Sequence, residues 1–338
     1  MKILLSSHFF PPSIGGIEEV GRILAEEFTR VGHEVQVVTQ TAETAGADFP
    51  FPIHRRPGPF DLLRLVEWCD VFLHNNISLQ TAWPLLVQSR PWVVAHHAWI
   101  TRVDGSMGLR DRLKRLVSRG ARNIVVSDAL RSQIDAPAAV IGNPYRDTLF
   151  RCDPNALRDR ELVFLGRLVG DKGVDLLLEA MAQVSARGLK PRLTIIGRGP
   201  EEAALRQMSS RLGLDAQVDF AGQVAGRELV ALLNCHRVVV VPSRLQEPFG
   251  LVALEGMACG CVPVVADCGG LPETIGEAGA TFRHEDAGDL ARWIETLLAP
   301  NADLRRYREA ASAHLARHTA EAVAARYLQV LEEAVKAR

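Results

Sequence analysis

Apolar and polar positions along this chain alternate between two periods. In the first part of the chain, short apolar runs rich in β-branched residues predict buried strands. These runs span residues 2–6, 34–38, 71–73, 92–95, 123–126 and 139–141. Between them lie stretches of helical period, of which the first has the apolar positions Ile17, Val20, Leu24, Phe28 and Val31. Alternation of strands and helices predicts a parallel sheet with right-handed crossovers.

The same alternation returns after residue 160. The apolar runs there span residues 162–165, 193–196, 218–220, 238–241, 262–265 and 280–282, with helical segments that include 174–186 and 251–258. Between the two sets, residues 143–154 are Pro-rich, polar and without period, as expected of a linker. We therefore predict an α/β fold of two doubly wound, Rossmann-like domains, 1–145 and 155–315, which face each other across a cleft. Ligands of such sheets bind beyond the carboxyl ends of the strands.

Length and composition fit this picture and exclude several classes of protein. The 338 residues suit two domains of about 150 residues each. The net charge of −1 provides no general attraction to nucleic acid, so no nucleic-acid partner is expected. No apolar stretch approaches the roughly 20 residues that span a bilayer, and the N-terminal run is typical of a strand rather than a signal peptide. We therefore expect a cytoplasmic protein.

The six cysteines are expected to be reduced thiols, because most of them lie in apolar or small-residue runs. Cys259, Cys261 and Cys268 are close in sequence, but their spacing is not a standard zinc pattern and no histidine is near them. No metal site is therefore expected.

A pair of glycines, Gly15 and Gly16, follows the first predicted strand and opens the first helix. Glycines allow close approach of the backbone to a ligand, and the N-terminus of a helix favours an anion. A tight turn between strand and helix is the alternative interpretation. A G-x-G-x-x-G pattern is missing, which argues against a dinucleotide oxidoreductase.

A second glycine-rich loop, residues 166–173, follows the first strand of the second domain. It carries Arg167 and Lys172 at the carboxyl edge of the predicted sheet. A guanidinium can hold phosphate oxygens with two hydrogen bonds, and an ammonium adds a point charge. The alternative is that both side chains are solvated surface cations.

Two carboxylates stand eight residues apart in the segment 242–255, which again follows a strand. Glu247 lies in a loop, where it could hold a sugar hydroxyl. Glu255 lies in the helix that Gly250 opens, where it could accept hydrogen bonds from the vicinal hydroxyls of a ribose. An exposed helix residue is the alternative for Glu255, but its neighbours are mostly apolar, so its charge requires a partner.

Taken together and in this order, the motifs resemble those of the retaining nucleotide-sugar glycosyltransferases of family four. They are Gly15-Gly16-Ile17-Glu18, Gly166-Arg167 with Asp171-Lys172-Gly173, Glu247-x-Phe249-Gly250-x4-Glu255, and Gly269-Gly270-x-Pro272-Glu273. The resemblance covers nearly the whole chain, and the second-domain motifs are the more specific. One departure is Asn143-Pro144, which stands where the family usually has Asn-Gly.

This resemblance implies the B-type glycosyltransferase fold and an activity. The donor would be a nucleotide diphosphate sugar carrying a hexose-type sugar, and the acceptor a glycan, a lipid-linked molecule or a small molecule. The setting would be cell-envelope polysaccharide synthesis. A final helix within 319–338 would cross back to the first domain.

Roles for individual residues also follow from the resemblance. The implied catalytic residues are Arg167, Lys172, Glu247 and His97, and the implied donor-binding residues are Gly15, Gly16, Gly166, Phe249, Gly250, Leu251 and Glu255. Arg167 and Lys172 would hold the diphosphate, and Glu255 the ribose. The sequence contains no Asp-x-Asp triplet, so neither a metal clamp nor another cofactor is expected.

Two rival functions stay open at this point. One is a nucleotide-sugar epimerase of the same fold, which would need no sugar acceptor. The other is a non-catalytic module with a vestigial nucleotide-sugar site, although Arg167, Lys172 and Glu255 are all present.

A basic stretch, residues 108–122, has leucines at helical spacing and carries six cations against one acidic residue, Asp111. Such a helix can lie on anionic lipid. We therefore weigh peripheral contact with the inner face of a membrane against one alternative. In this alternative the leucines face the domain core, and the arginines are solvated or hold an anionic acceptor.

Overall fold

The computed structural model describes residues 1–13, 15–42, 48–100 and 106–337. The chain forms two compact units. Unit 1 comprises Met1–Pro144 together with His318–Arg338, and unit 2 comprises Tyr145–Arg317.

Unit 1 alternates strands and helices from its first residues onward. Its elements in the first 144 residues are β1 (Lys2–Ser7), α1 (Gly16–Arg30), β2 (Glu34–Thr39), β3 (Ile53–Arg55), α2 (Pro59–Trp68), β4 (Val71–Asn75), α3 (Leu79–Ala82), β5 (Trp92–His96), α4 (Leu109–Ser118), β6 (Arg122–Val125), α5 (Asp128–Arg131) and β7 (Ala138–Val140). A 3-10 turn, Trp83–Leu86, follows α3.

Unit 2 has the same alternation. Its elements are β8 (Arg160–Leu165), α6 (Val174–Ala186), β9 (Leu193–Ile196), α7 (Glu202–Arg211), β10 (Val218–Gly222), α8 (Gly226–Asn234), β11 (His236–Val241), α9 (Leu251–Ala258), β12 (Val262–Ala266), α10 (Leu271–Ile275), β13 (Ala280–Phe282), α11 (Ala287–Leu298) and α12 (Arg305–Ala316). The last helix, α13 (Ala320–Lys336), belongs to unit 1.

The sheet of each unit is parallel throughout. In unit 1 the strand order is β3-β2-β1-β4-β5-β6-β7, and in unit 2 it is β10-β9-β8-β11-β12-β13. The inner strands read as continuous apolar runs because a parallel sheet is covered on both faces. The order reverses at β1 and β4 in unit 1, and at β8 and β11 in unit 2. These are the switch points beyond whose carboxyl ends ligands of open α/β sheets bind.

The prediction of two doubly wound α/β domains is confirmed. The strand β3 was missed, because Ile53-His54-Arg55 is short, half-buried and without a period of its own. Residues 145–154, expected as a linker, group with unit 2. The Asn234 amide explains this, since its oxygen accepts from Asp153 N at 2.7 Å and its nitrogen donates to Arg151 O at 2.9 Å.

The C-terminal helix α13 packs against α1, β4 and β5 of unit 1. Thr319 caps its N-terminus by accepting a hydrogen bond from Ala322 N at 3.2 Å, and Tyr327 is completely buried. Within the described residues, no helix is both long enough and apolar enough to cross a bilayer.

Candidate active site

The switch point of unit 2 brings together the two motifs that follow β8 and β11. Backbone N–H groups of Arg244 and Leu245 donate to the carbonyl oxygen of Asp171, at 2.9 and 3.3 Å. The loop after β8 is thus bonded to the segment after β11. This contact places the cationic motif beside the acidic one.

Gly173 shows why the first of these loops needs glycine. Its φ of +67° lies in the left-handed region, and a Cβ at this position would overlap the carbonyl oxygen of Pro242. No side chain fits there, and L-residues with a side chain rarely adopt this φ. The glycine therefore sets how closely the loop after β8 approaches the end of β11.

Glu247 is the point at which the motifs of unit 2 converge. Its Oε1 accepts a hydrogen bond from Lys172 Nζ at 2.8 Å and another from Ser243 Oγ. Its carbonyl oxygen accepts from Gly270 N at 2.7 Å. Within the described part of the chain, no hydrogen bond uses Oε2 of Glu247, so this oxygen can accept one from a ligand.

The cations of this region differ in their ion pairs, and Lys172, like Arg244, is paired with a carboxylate. Arg244 is neutralised by Asp175 at 2.7 Å and Glu285 at 3.1 Å. Arg167 is exposed and makes no ion pair with any residue that the structure describes. Arg167 therefore keeps a guanidinium available for an anion at the carboxyl edge of the sheet.

Glu255 is half-buried on α9, which begins at Leu251 directly after Gly250. A Cβ on Gly250 would lie 2.6 Å from Leu271 Cδ2, and one on Gly256 would lie 2.7 Å from Val239 Cγ1. These close approaches seat α9 on β11 and α10. Phe249, next to the start of the helix, is buried. Glu255 therefore lies on a closely packed helix at the same switch point as Glu247.

The glycine pair of unit 1 also lies at a switch point, after β1. α1 begins at Gly16 with Gly15 as its N-cap. A Cβ on Gly15 would overlap the carboxylate of Glu18, which also accepts a hydrogen bond from Ser13 Oγ at 3.3 Å. An acidic side chain of the protein itself thus lies at the helix terminus where the sequence suggested an anion site. Approach of phosphate at Gly16 stays a prediction.

His97 follows β5 at the carboxyl edge of the sheet of unit 1. Its Nδ1 lies 2.9 Å from Oδ1 of Asn143. Burial lowers the pKa of His97 to about 4, with the bond to Asn143 opposing this shift and His96 adding to it. The ring is neutral at physiological pH.

One polar residue in each unit was not identified from the sequence. Ser243 stands four residues before Glu247, and Asn143 stands in the stretch treated as a linker.

Gly166, by contrast, was singled out from the sequence. A Cβ there would lie 3.1 Å from Phe164 Cζ, so the glycine keeps the start of the loop against β8. Among the described residues, no group of three or more His, Cys, Asp and Glu side chains could hold a metal ion.

Comparison with known families identifies the kind of protein to which this site belongs. Residues 146–314 match the family model described as glycosyl transferases group 1. An uncharacterized glycosyltransferase of Methanocaldococcus jannaschii is 40% identical over an alignment covering 81% of this chain and 83% of that protein. The chain belongs to the group 1 glycosyltransferase family. As a family member it is a transferase enzyme, which confirms the class inferred from the motifs.

Solved structures support the fold of this glycosyltransferase. The Anabaena protein HepE, in complex with UDP, matches with a TM-score of 0.83 at 21% identity, over 98% of this chain and 100% of that one. Sucrose-phosphate synthase from Thermosynechococcus elongatus matches with a TM-score of 0.80 at 24% identity, over the whole of both chains. The B-type glycosyltransferase fold expected from the sequence is confirmed.

Proposed function

We propose that this glycosyltransferase moves a hexose-type sugar from a nucleotide diphosphate sugar to a glycan, lipid-linked or small-molecule acceptor, with retention of anomeric configuration. The observation that carries the proposal is the contact of Lys172 with Glu247 at the switch point of unit 2. The loop of Lys172 also carries the exposed Arg167. A carboxylate proposed for a sugar hydroxyl thus contacts one of the two cations proposed for the diphosphate. One solved structure of HepE contains UDP and another contains UDP-glucose, which supports a donor of this chemical class.

The proposed reaction uses these groups where charge develops. The bond between the anomeric carbon and the β-phosphate oxygen breaks, and its electron pair stays on that oxygen. Arg167 and Lys172 neutralise the growing negative charge, and preorganised cations are worth most at such a place. Lys172 is already fixed by Glu247, so little reorganisation is needed when the donor binds.

Retention follows if the acceptor oxygen attacks from the face that the diphosphate leaves. The acceptor proton then passes to the departing phosphate oxygen, and the nucleoside diphosphate is released. Glu247 Oε2 would accept a hydrogen bond from the transferred sugar, and Glu255 would accept bonds from the ribose hydroxyls. A covalent enzyme nucleophile is not part of the proposal.

Metal-independent transfer is part of the same proposal. It is supported by the missing Asp-x-Asp triplet and by the two cations that would take over charge neutralisation. Activity should persist in chelator. Loss of activity in chelator, followed by recovery with magnesium or manganese, would show that a metal is required.

The test of the proposed function is release of nucleoside diphosphate from a panel of nucleotide sugars, beginning with UDP-glucose. Each donor is incubated with and without acceptor extracts. A transferase releases nucleotide faster with an acceptor. An epimerase converts the donor sugar without releasing nucleotide, and a non-catalytic module binds donors but leaves them intact; either result would overturn the proposal.

We also propose that the enzyme acts at the cytoplasmic face of a membrane, docked through α4. The leucines of this helix do not enter the core of unit 1: Leu109, Leu113 and Leu116 are 86%, 46% and 58% exposed. They form one stripe at spacings of four and three residues. An exposed apolar stripe on a basic helix is the pattern that lies on anionic lipid.

The cations of this segment are only partly neutralised by the protein. Arg115 and Arg119 both pair with Asp135, and Arg122 pairs with Glu333. Arg110, Arg112 and Lys114 make no ion pair with a residue that the structure describes. Positive charge near a lipid surface contributes about 1 kcal/mol per residue to binding.

Vesicle co-sedimentation tests the docking. The wild-type protein should bind vesicles containing anionic lipid, and binding should fall with salt. Replacing Arg110, Arg112 and Lys114 by Gln should reduce binding, and so should replacing Leu109, Leu113 and Leu116 by Ser. Leu157→Ser is the matched control, because Leu157 is 76% exposed in unit 2. Equal failure to bind anionic and neutral vesicles at low salt would overturn this proposal and favour an anionic acceptor for the basic helix.

A further inference from the structure

His97 is held in one tautomer by Asn143. The side chain is 7% exposed, and its Nδ1 lies 2.9 Å from Asn143 Oδ1. An amide oxygen can only accept a hydrogen bond, so Nδ1 carries the proton and donates. In a neutral imidazole the other nitrogen, Nε2, is then an acceptor.

This second nitrogen has no partner in the described part of the chain, although it is enclosed. Leaving a buried polar atom unpaired costs about 1–3 kcal/mol, and nearly all such atoms in folded proteins are paired. His97 stands directly beyond β5, at the sheet edge where ligands bind. An orphaned acceptor in this position points to a donor group on a ligand.

We infer that Asn143 is a positioning residue, which fixes His97 as the Nδ1–H tautomer so that Nε2 accepts a hydrogen bond from a substrate hydroxyl. The inference rests on the proposed function, because it supplies the hydroxyl-bearing ligand. Asn143 acts through His97 and itself needs no contact with the substrate.

Asn143 is in turn held by its surroundings. It is 6% exposed, and its carbonyl oxygen accepts a hydrogen bond from His318 Nδ1 at 3.1 Å. Pro144 disfavours the helical conformation for the residue before it. The proline that stands in place of the glycine expected from the family resemblance thus stiffens the backbone at Asn143. The titratable neighbours of His97 in this network are His96 and, through Asn143, His318.

The adjacent pair of His96 and Asn123 provides a control. His96 Nε2 lies 2.8 Å from Asn123 Oδ1, and Asn123 Nδ2 donates to the carbonyl oxygens of Ser118 and Ala121 at 3.0 and 3.1 Å. His96 is completely buried within β5 rather than beyond its end. Its Nδ1 also lacks a described partner, but both residues of the pair serve the packing of β5 and β6.

The test combines nitrogen NMR of the full-length protein, labelled in its histidines, with the pH profile of nucleoside diphosphate release. In the wild type, His97 should carry its proton on Nδ1 and none on Nε2. Asn143→Ala should release the tautomer and lower kcat/KM by about tenfold, the effect of one hydrogen bond. Asn143→Asp should keep Nδ1 protonated but raise the pKa of His97 by about 1–3 units. The acidic limb of the kcat/KM profile should then shift to higher pH by the same amount, and activity should recover above it.

Asn123→Ala should lower the melting temperature without moving the His97 resonances or the acidic limb. A proton on Nε2 of wild-type His97 would overturn the inference, as would an Asn143→Asp variant whose His97 titration and pH profile match the wild type. Failure of the proposed function would appear differently, as a wild-type enzyme that releases no nucleotide. The NMR result would still decide the role of Asn143.

Discussion

Lys172 and Glu247 stand 75 residues apart in the chain and 2.8 Å apart in the fold. The pair fixes a cation at the place where the diphosphate is expected. The second cation, Arg167, has no such restraint, since it makes no ion pair with a described residue. The two cations therefore differ: one is preorganised, and the other can follow the ligand.

Removing either cation should slow turnover more than it weakens donor binding. The charge that Arg167 and Lys172 meet is larger in the transition state than in the bound donor. We expect Arg167→Ala and Lys172→Ala to lower kcat by roughly 10²–10³-fold, measured as steady-state nucleotide release. The exposed Lys190→Ala is the control for a lost surface charge in the same unit. Effects confined to KM would contradict the assignment.

Glu255 and Glu247 should separate into different binding roles. We expect Glu255→Gln to weaken binding of the nucleoside diphosphate itself, because its carboxylate would hold the ribose. Glu247→Gln should leave that affinity nearly unchanged and impair use of the donor sugar. Isothermal titration with nucleoside diphosphate and kinetics with the intact donor distinguish the two. Unchanged nucleotide affinity in the Glu255 variant would exclude the ribose role.

At the scale of single residues, the sequence identified four candidates, Arg167, Lys172, Glu247 and Glu255. Each is a charged side chain in a segment that follows a predicted strand and contains glycines, and a loop that only packs rarely needs such charges. It missed Ser243 and Asn143. Their importance lies in partners: Ser243 donates to Glu247, and Asn143 accepts from His97. Polar pairing of this kind depends on geometry that no spacing rule expresses.

Among the secondary-structure elements, the connection between β8 and α6 depends on one glycine. Gly173→Ala should lower stability and nucleotide affinity together, because a Cβ there meets Pro242 O and would displace the neighbouring Lys172. Gly213 is the matched control: its φ of +70° is also in the left-handed region, but a Cβ there meets nothing within 4 Å.

The two variants are compared by thermal denaturation and nucleotide titration. Gly213→Ala should lower the free energy of unfolding only by the backbone strain, about 1 kcal/mol, and should leave nucleotide affinity unchanged. Gly173→Ala should lower the free energy of unfolding by more and should weaken nucleotide binding. Equal losses of stability with unchanged affinity in both variants would refute the role of the close approach.

Elements were predicted well where their pattern is strong. The inner strands of both sheets appear as buried β-branched runs, and α1 appears as an apolar stripe of helical period. β3 lacks both signals and owes its existence to pairing with β2. For α4 the sequence predicted the helix but left the direction of its leucines open, since a stripe can face core or solvent; the structure places them outward.

For the molecule as a whole, acid should destabilise the fold through its buried histidines. Burial lowers the pKa of His74 to about 3, and those of His97 and His236 to about 4. These values lie below the ordinary histidine pKa of 6.5, so the unfolded state takes up protons first. The stabilisation that these neutral histidines contribute to the fold is complete above pH 6.5. It is lost as the pH falls from there towards the pKa values of the folded state. At pH 5 each such histidine should cost about 2 kcal/mol.

Urea unfolding at pH 7 and pH 5 measures this effect. His74→Gln should reduce the pH dependence by about one proton, because Trp92 Nε1 donates to His74 Nδ1 at 2.6 Å. That bond requires a neutral ring without a proton on Nδ1. Equal stability of the wild type at the two pH values would contradict the account.

The most direct test of the central claim, sugar transfer with retention, follows the anomeric proton of the donor by NMR while the enzyme acts on the donor and acceptor found in the nucleotide-release panel. The account predicts that the donor signal disappears as free nucleoside diphosphate appears, and that the first product signal has the same anomeric configuration as the donor. A first product of inverted configuration, or a changed donor sugar still attached to its nucleotide, would contradict it.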